Sequence, residues 1–300
     1  MKKKTYLFAL MAMALTLGSC SDNENGIGGE TSKYITVSTS IGNMTRVATD
    51  ANGGQTFEEG DEISVYAWTG DATVAPETSE RVVNNAINKL TNGSWVSTPQ
   101  MLWKNNRDKH YFIGVYPTAA ISDLSAGEYT FDVNKQTESD LLVAVNKDGL
   151  SYNVDEQQTV PLTFTHVMAK LVVNLTYKNQ WGGIPTVEKV VVGNAAKEAT
   201  INYLTKVVTP STTAKEDFSL PEITENTKYV SVIIPQEEVT QLTIVIGGKN
   251  FVYDNGTPFK LESGKITTVN LEVGRDEIKL GDVKITNWED GSTFSGEALN

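Results

Sequence analysis

Few side chains in this 300-residue sequence are of the types that carry out covalent or acid–base catalysis. There is one thiol, Cys20, and there are two imidazoles, His110 and His166. A serine hydrolase often carries its nucleophile in a Gly-x-Ser-x-Gly turn, and the sequence has no such motif. The apolar strand pattern around His166 favours a core histidine, and we expect His110, at the start of a strand, to be half exposed. The sequence therefore predicts no enzyme and no catalytic residue.

Metal and cofactor chemistry finds equally little support. Zinc sites use several Cys or His ligands at short spacing, and two distant histidines do not supply them. The segment 254–256, Asp-Asn-Gly, is the nearest approach to a calcium loop, but it is more typical of a hairpin turn. Two carboxylates form a glycosidase pair only where the fold brings them together, and nothing in the sequence selects two. We expect no metal and no cofactor.

Tryptophan side chains could instead stack on a sugar ring. Trp68 and Trp103 lie in strand patterns, which favours the core for both. Trp181 lies in a loop-like Asn-Gln-Trp-Gly-Gly segment and is the best candidate for an exposed contact residue. Packing remains the alternative for Trp181.

The single cysteine has a more definite context. Three lysines and then an apolar run from Tyr6 to Leu17 precede it, and small residues stand just before Cys20. This arrangement is typical of a secretory signal peptide. The run is shorter than the roughly 20 residues that span a bilayer as a helix. Leu17–Cys20 resembles the lipobox of bacterial lipoproteins, in which the cysteine is acylated and becomes the mature N-terminus. We therefore assign residues 1–19 to a lipoprotein signal peptide and lipidation to Cys20.

The formal net charge of −12 excludes some partners. Nucleic acid binding needs clustered Lys and Arg, so we expect no nucleic acid partner. With one cysteine there is no intrachain disulfide, and an exported chain of this kind depends on its cores alone. Residues 20–32 are polar and glycine-rich, which is typical of a flexible tether.

From Tyr34 onwards the pattern is one of short strands without alternating helices, which predicts an all-β fold of two tandem β-sandwich domains. Leu162, Phe164 and His166 share one parity, and a bend or a bulge over 167–169 separates them from the next strand. Polar sequence near residue 150 places a domain boundary close to residue 158. We predict an N-terminal domain over 33–158 and a C-terminal domain over 159–300. Residues 81–90 fit a short helix as well as a strand.

Four segments, taken in order, resemble the fimbrillin-like proteins, the Mfa-like or type V pilin group of Bacteroides-type bacteria. Residues 60–68 are similar to an early strand of that family, and 162–171 to its Phe-x-His strand. Residues 285–288 are similar to its terminal Ile-x-x-Trp, and Thr45-Arg46 to its processing position. The segments span nearly all of the mature chain, and the family's sandwich domains are of the transthyretin-like type.

The resemblance implies a mechanism of assembly. Family members are exported as lipidated precursors, and a trypsin-like protease then removes the anchor together with the first strand. Here the cut falls between Arg46 and Val47, and Tyr34 to Ile41 is the strand removed. A strand from a neighbouring subunit then fills the vacated groove. The candidate donor strand in this chain carries apolar side chains at Leu280, Val283, Ile285 and Trp288.

These observations favour a structural pilus subunit or tip adhesin on the cell surface. Its partners are other pilus subunits, together with the outer membrane that holds the lipid anchor before processing. The alternative is a surface lipoprotein that does not polymerise and that binds a glycan or a host protein. A carbohydrate-active enzyme is a third class, which predicts a cleft with paired carboxylates.

Overall fold

The structure is a computed structural model that describes residues 33–42, 56–153, 156 and 158–288. The predicted all-β class is confirmed, because nineteen strands account for most of these residues. Helical structure in this part of the chain is limited to two short 3-10 turns, Thr78–Glu80 and Asn179–Trp181, and to one four-residue helix, α1, Gln136–Ser139.

Strand bounds follow the apolar alternation of the sequence. The first nine are β1 Thr36–Ile41, β2 Glu62–Thr69, β3 Val83–Thr91, β4 Ser94–Thr98, β5 His110–Tyr116, β6 Gly127–Thr130, β7 Leu142–Leu150, β8 Thr159–His166 and β9 Ala169–Tyr177. The next ten are β10 Val187–Ala196, β11 Glu198–Asn202, β12 Val207–Pro210, β13 Lys215–Ser219, β14 Glu222–Thr224, β15 Lys228–Ile233, β16 Gln236–Ile246, β17 Lys249–Leu261, β18 Lys265–Val273 and β19 Ile278–Asn287.

Two local predictions can be compared with these bounds. The segment that fitted either a helix or a strand forms β3. The predicted bend over 167–169 is also present, because β8 ends at His166 and β9 begins at Ala169. Both strands alternate buried and less buried residues, which places Phe164 and Leu171 in the interior.

The strands pair into four sheets. The largest has seven strands in the order β1-β8-β7-β5-β2-β3-β4, so β1 and β4 are its two edge strands. A five-stranded sheet has the order β14-β15-β9-β18-β19, a four-stranded sheet the order β13-β10-β16-β17, and a three-stranded sheet the order β12-β11-β6. Most pairs are antiparallel, but β1 runs parallel to β8 and β18 runs parallel to β9.

Buried apolar side chains form two clusters. The first cluster lies on one face of the seven-stranded sheet and contains Val65, Phe112 and the inward-facing side chains of β1. The opposite face of that sheet contributes Trp68 and Val143 to the second cluster, which also contains Val269 and other core residues of the later sheets. Apolar packing therefore links the seven-stranded sheet to the rest of the described chain.

The predicted boundary near residue 158 stays a prediction. β8 starts at Thr159 and pairs with β7 and β1 in the seven-stranded sheet. β6, from the first half of the sequence, pairs with β11 from the second half. Three strand pairs, β1–β8, β7–β8 and β6–β11, thus join residues on the two sides of that point in the sequence.

Candidate functional site

The predicted removable strand, β1, is an edge strand of the seven-stranded sheet, and its apolar side chains belong to the first buried cluster. β1 lies parallel to β8, with Thr36 opposite Thr159 and Ile41 opposite Phe164. The side chains of Ile35, Val37 and Ile41 are buried in the first apolar cluster. The backbone N–H of Gly42 continues the pairing by donating to the carbonyl of Phe164 at 2.6 Å.

The outer side of β1 is polar. Thr36 and Thr159 share a hydrogen bond between their hydroxyls at 3.2 Å, and the Ser40 hydroxyl donates to Thr163 Oγ1 at 3.2 Å. Alternating polar and apolar side chains therefore fix which face of β1 meets the core, since a slip of one residue would bury the hydroxyls.

The segment just ahead of β1 reaches the far end of the same sheet. The Ile35 N–H donates to the Met101 carbonyl at 3.0 Å, and the Trp103 N–H donates to the Lys33 carbonyl at 3.2 Å. Trp95 on β4 donates its indole N–H to Thr39 Oγ1 at 3.0 Å. β1 and the residues before it thus bridge the two ends of the seven-stranded sheet.

A cavity of about 640 Å³ runs along β1, between that strand and the β3–β4 hairpin. Phe57 lies at its wall and makes edge-to-face contacts with Trp95, Tyr116 and Phe164, with ring centroids 5.1–5.3 Å apart. This aromatic group was not found by sequence reasoning. The only signal was a lone Phe57 after a polar stretch, which does not reveal its three partners.

The predicted lipidation and processing residues cannot be placed. Cys20, Arg46 and Val47 lie outside the described residues, so their roles stay predictions. The described chain ends at Gly42 on one side of the processing position and resumes at Thr56 on the other.

The predicted donor strand is β19, at the edge of the five-stranded sheet, where it pairs antiparallel with β18. A register shift at Gly281 keeps Leu280, Val283 and Ile285 opposite the inward-facing residues of β18. Even so, Val283 and Ile285 are 36% and 38% exposed. β19 therefore offers an apolar face that its own subunit covers incompletely, and its role as a donor stays a prediction.

Trp288 differs from the rest of this segment because it is only 8% exposed. Its ring stacks on the imidazole of His166, with centroids 4.0 Å apart and planes 6° apart. His166 Nδ1 lies 2.8 Å from a carboxylate oxygen of Asp140. The expected core position of His166 is thus correct, but its pairing with Trp288 was not foreseen.

Other residues considered for chemistry have structural roles. His110 is fully buried rather than half exposed, and its Nε2 accepts the Lys104 N–H at 3.0 Å. Burial lowers the pKa of His110 below its usual 6.5. Trp68 and Trp103 are core residues as expected. Trp181 packs against the second cluster and donates its indole N–H to the Val273 carbonyl at 2.9 Å.

Two features of other protein classes are not found in the described ranges. No group of three or more His, Cys, Asp or Glu side chains is arranged to hold a metal ion. None of the helices in this part of the chain has the length and apolar character needed to cross a bilayer.

The described chain is all-β, with β1 at an edge of the seven-stranded sheet and β19 at an edge of the five-stranded sheet. Its packed sheets place it in the class of layered, sandwich-type β proteins. The comparison with protein families agrees. Residues 45–288 match the fimbrillin-like family, so the chain belongs to that family. This is a family of structural fimbrial proteins rather than of enzymes, and it supports a pilus-subunit role at the cell surface.

Solved structures share the fold at low sequence identity. A protein from Bacteroides uniformis, provisionally described as a cell adhesion protein, is 21% identical, with a TM-score of 0.61 over 78% of this chain and 93% of its own. A protein from Bacteroides ovatus with the same description is 17% identical, with a TM-score of 0.61 over 85% and 98%. A fimbrial protein from Bacteroides vulgatus is 14% identical, with a TM-score of 0.53 over 86% and 100%. No curated protein matches this sequence significantly.

Proposed function

We propose that this protein is a structural subunit or tip adhesin of a cell-surface pilus and that it assembles by exchange of its first strand. In this proposal Cys20 is acylated and holds the precursor in the outer membrane. A trypsin-like protease then cuts between Arg46 and Val47 and releases β1 together with the lipid. A strand of a neighbouring subunit takes the place of β1.

The observation that carries the proposal is the position of β1. It is an edge strand whose apolar side chains complete a core, and Arg46 follows its last residue, Ile41, by five positions. A cut there leaves no peptide bond between β1 and the rest of the fold. The strand would then be held only by noncovalent contacts, which an incoming strand can replace.

The physics of replacement is strand addition. The vacated edge of β8 presents unpaired N–H and C=O groups, which pair with any extended chain that reaches them. Backbone hydrogen bonds supply affinity, and the sites of Ile35, Val37 and Ile41 select alternate apolar side chains.

β19 is the donor that this chain offers to its neighbour. It is an edge strand, it places Leu280, Val283 and Ile285 on one face, and two of these are already partly exposed. Such a face resembles the alternating pattern that β1 presents. Trp288 would be the last apolar anchor of the donor segment.

Limited trypsin digestion of the purified precursor tests the proposal. We expect a new N-terminus at Val47 and growth of multimers over time, measured by N-terminal sequencing and size-exclusion chromatography with light scattering. An Arg46→Gln variant should give no new N-terminus at Val47 and should stay monomeric. Arg107 is an exposed arginine elsewhere, so Arg107→Gln is the matched control and should behave as the wild type.

The alternative function gives a different result. A surface lipoprotein that binds a glycan or host protein without polymerising would yield stable monomers after complete cleavage at Arg46. That outcome, at protein concentrations where light scattering detects dimers readily, would rule out assembly by strand exchange.

A further inference from the structure

The end of β19 is held by a ring stack rather than by its own sheet alone. Most side chains of β19 are exposed, yet Trp288, the next residue, is buried against His166. The two rings are parallel and at van der Waals distance. Lys170 adds a second contact, since its Nζ lies 5.4 Å from the centre of the Trp288 ring.

His166 is itself held in place. It is the last residue of β8 and pairs with Leu142 of β7. Asp140, just before β7, binds the imidazole through Nδ1 at 2.8 Å, and the His166 side chain is 4% exposed. A buried ring fixed by a carboxylate has little freedom to follow a moving partner, so the stack orients Trp288 rather than the reverse.

The turn between β17 and β18 completes the arrangement. The Trp288 N–H donates to the Gly264 carbonyl at 3.0 Å, and the Gly264 N–H donates to the Met168 carbonyl at 2.9 Å. Gly264 has a φ of +66°, and a Cβ there would lie 3.0 Å from the His166 carbonyl oxygen. The turn can therefore approach His166 this closely only with glycine.

We propose that His166 is a positioning residue that latches the C-terminal strand onto its own subunit through Trp288. The latch consists of Asp140, His166, Gly264 and Trp288. β8 carries the latch at its end and pairs with β1 along its edge. If β19 is the donor strand, which rests on the proposed function, the latch keeps β19 on its own subunit. It does so until β8, which pairs with β1, is disturbed.

Hydrogen–deuterium exchange of the full-length, uncut protein tests the latch. The peptide covering 278–288 should exchange roughly two- to tenfold faster in His166→Gln than in the wild type, because an aromatic pair is lost. His110→Gln is the matched control, since His110 is also buried and contacts a tryptophan, Trp103, edge-to-face. It should leave that peptide unchanged.

His166→Phe separates the stack from the hydrogen bond to Asp140. It keeps an aromatic ring, so we expect exchange of 278–288 to return close to the wild-type rate. A local effect is distinguished from general loosening by the peptide covering 249–253 of β17, which should not change. Equal exchange of 278–288 in His166→Gln, His110→Gln and the wild type would overturn the proposal.

Trp288→Leu provides an independent test of the latch if the His166 variants do not fold. It removes the other ring, and with far-ultraviolet circular dichroism unchanged it should accelerate exchange in the same peptide. Unchanged exchange would again overturn the latch. Assembly after trypsin is a separate measurement: faster exchange with no polymer from any variant supports the latch and refutes assembly.

Discussion

The contribution of the first strand segment, which is β1 together with Ile35 just before it, to the stability of the precursor can be measured at Ile35. This side chain is 2% exposed and belongs to the first apolar cluster, while its N–H is bonded to Met101. Replacing it with alanine keeps that backbone hydrogen bond and removes three buried carbon atoms. Such substitutions lower the free energy of unfolding by about 2–5 kcal/mol. We expect Ile35→Ala to fall in that range.

The same reasoning applies to the whole strand. Burial of each of Ile35, Val37 and Ile41 contributes about 1.5–3 kcal/mol, or roughly 4.5–9 kcal/mol together. A folded domain has a total stability of about 5–15 kcal/mol. A subunit that loses β1 without a replacement would therefore lose a substantial part of its stability, which would favour capture of another strand.

Equilibrium unfolding in urea, followed by tryptophan fluorescence, measures the effect of Ile35→Ala. Ile184 is 65% exposed, so Ile184→Ala is the matched control and should change the free energy by no more than about 0.5 kcal/mol. If the two variants are equally stable, β1 does not complete the core as its burial indicates. The argument for its removal as a trigger of assembly would then fail.

Two further outcomes follow from buried residues of the seven-stranded sheet. A Cβ at Gly114 would lie 2.6 Å from Phe164 Cζ. Gly114→Ala should therefore lower the free energy of unfolding, measured in urea, by about 1–3 kcal/mol. An unchanged free energy would show that the Phe164 ring moves aside freely. Burial lowers the pKa of His110 in the folded protein, so the unfolded chain takes up this proton first as the pH falls below about 6.5 and stability declines there. Urea titrations at several pH values should show that His110→Gln loses part of this decline; parallel profiles for variant and wild type would contradict the assignment.

Strand positions were largely predictable because alternation of apolar side chains is a local signal. β8 and β9 are examples, with Phe164 and Leu171 on the predicted inner faces. The pairing of strands is not local. β1 meets β8 across more than a hundred residues, and no turn sequence sets that register.

The burial of His110 shows a different limit. Its neighbours Lys109 and Tyr111 indicated a half-exposed strand start, but the fold covers the ring with Trp103 from a preceding segment. Histidine is intermediate in its preference for the interior, so the residue type alone does not determine whether His110 is buried or exposed. The contact with Trp103, which sequence reasoning did not foresee, determines its burial.

The removable strand β1 and the end of the candidate donor strand β19 both contact β8, and this restricts how strand exchange can proceed. One edge of β8 holds β1, and its last residue holds Trp288 through the His166 stack. A subunit in which β1 is intact therefore also has the end of its donor candidate in place. Loss of β1 turns β8 into an edge strand that pairs only with β7, and a strand with fewer neighbours opens more readily than one paired on both sides. On this argument, cleavage would both create the acceptor and weaken the restraint on the donor, so uncut subunits would resist assembly at both ends.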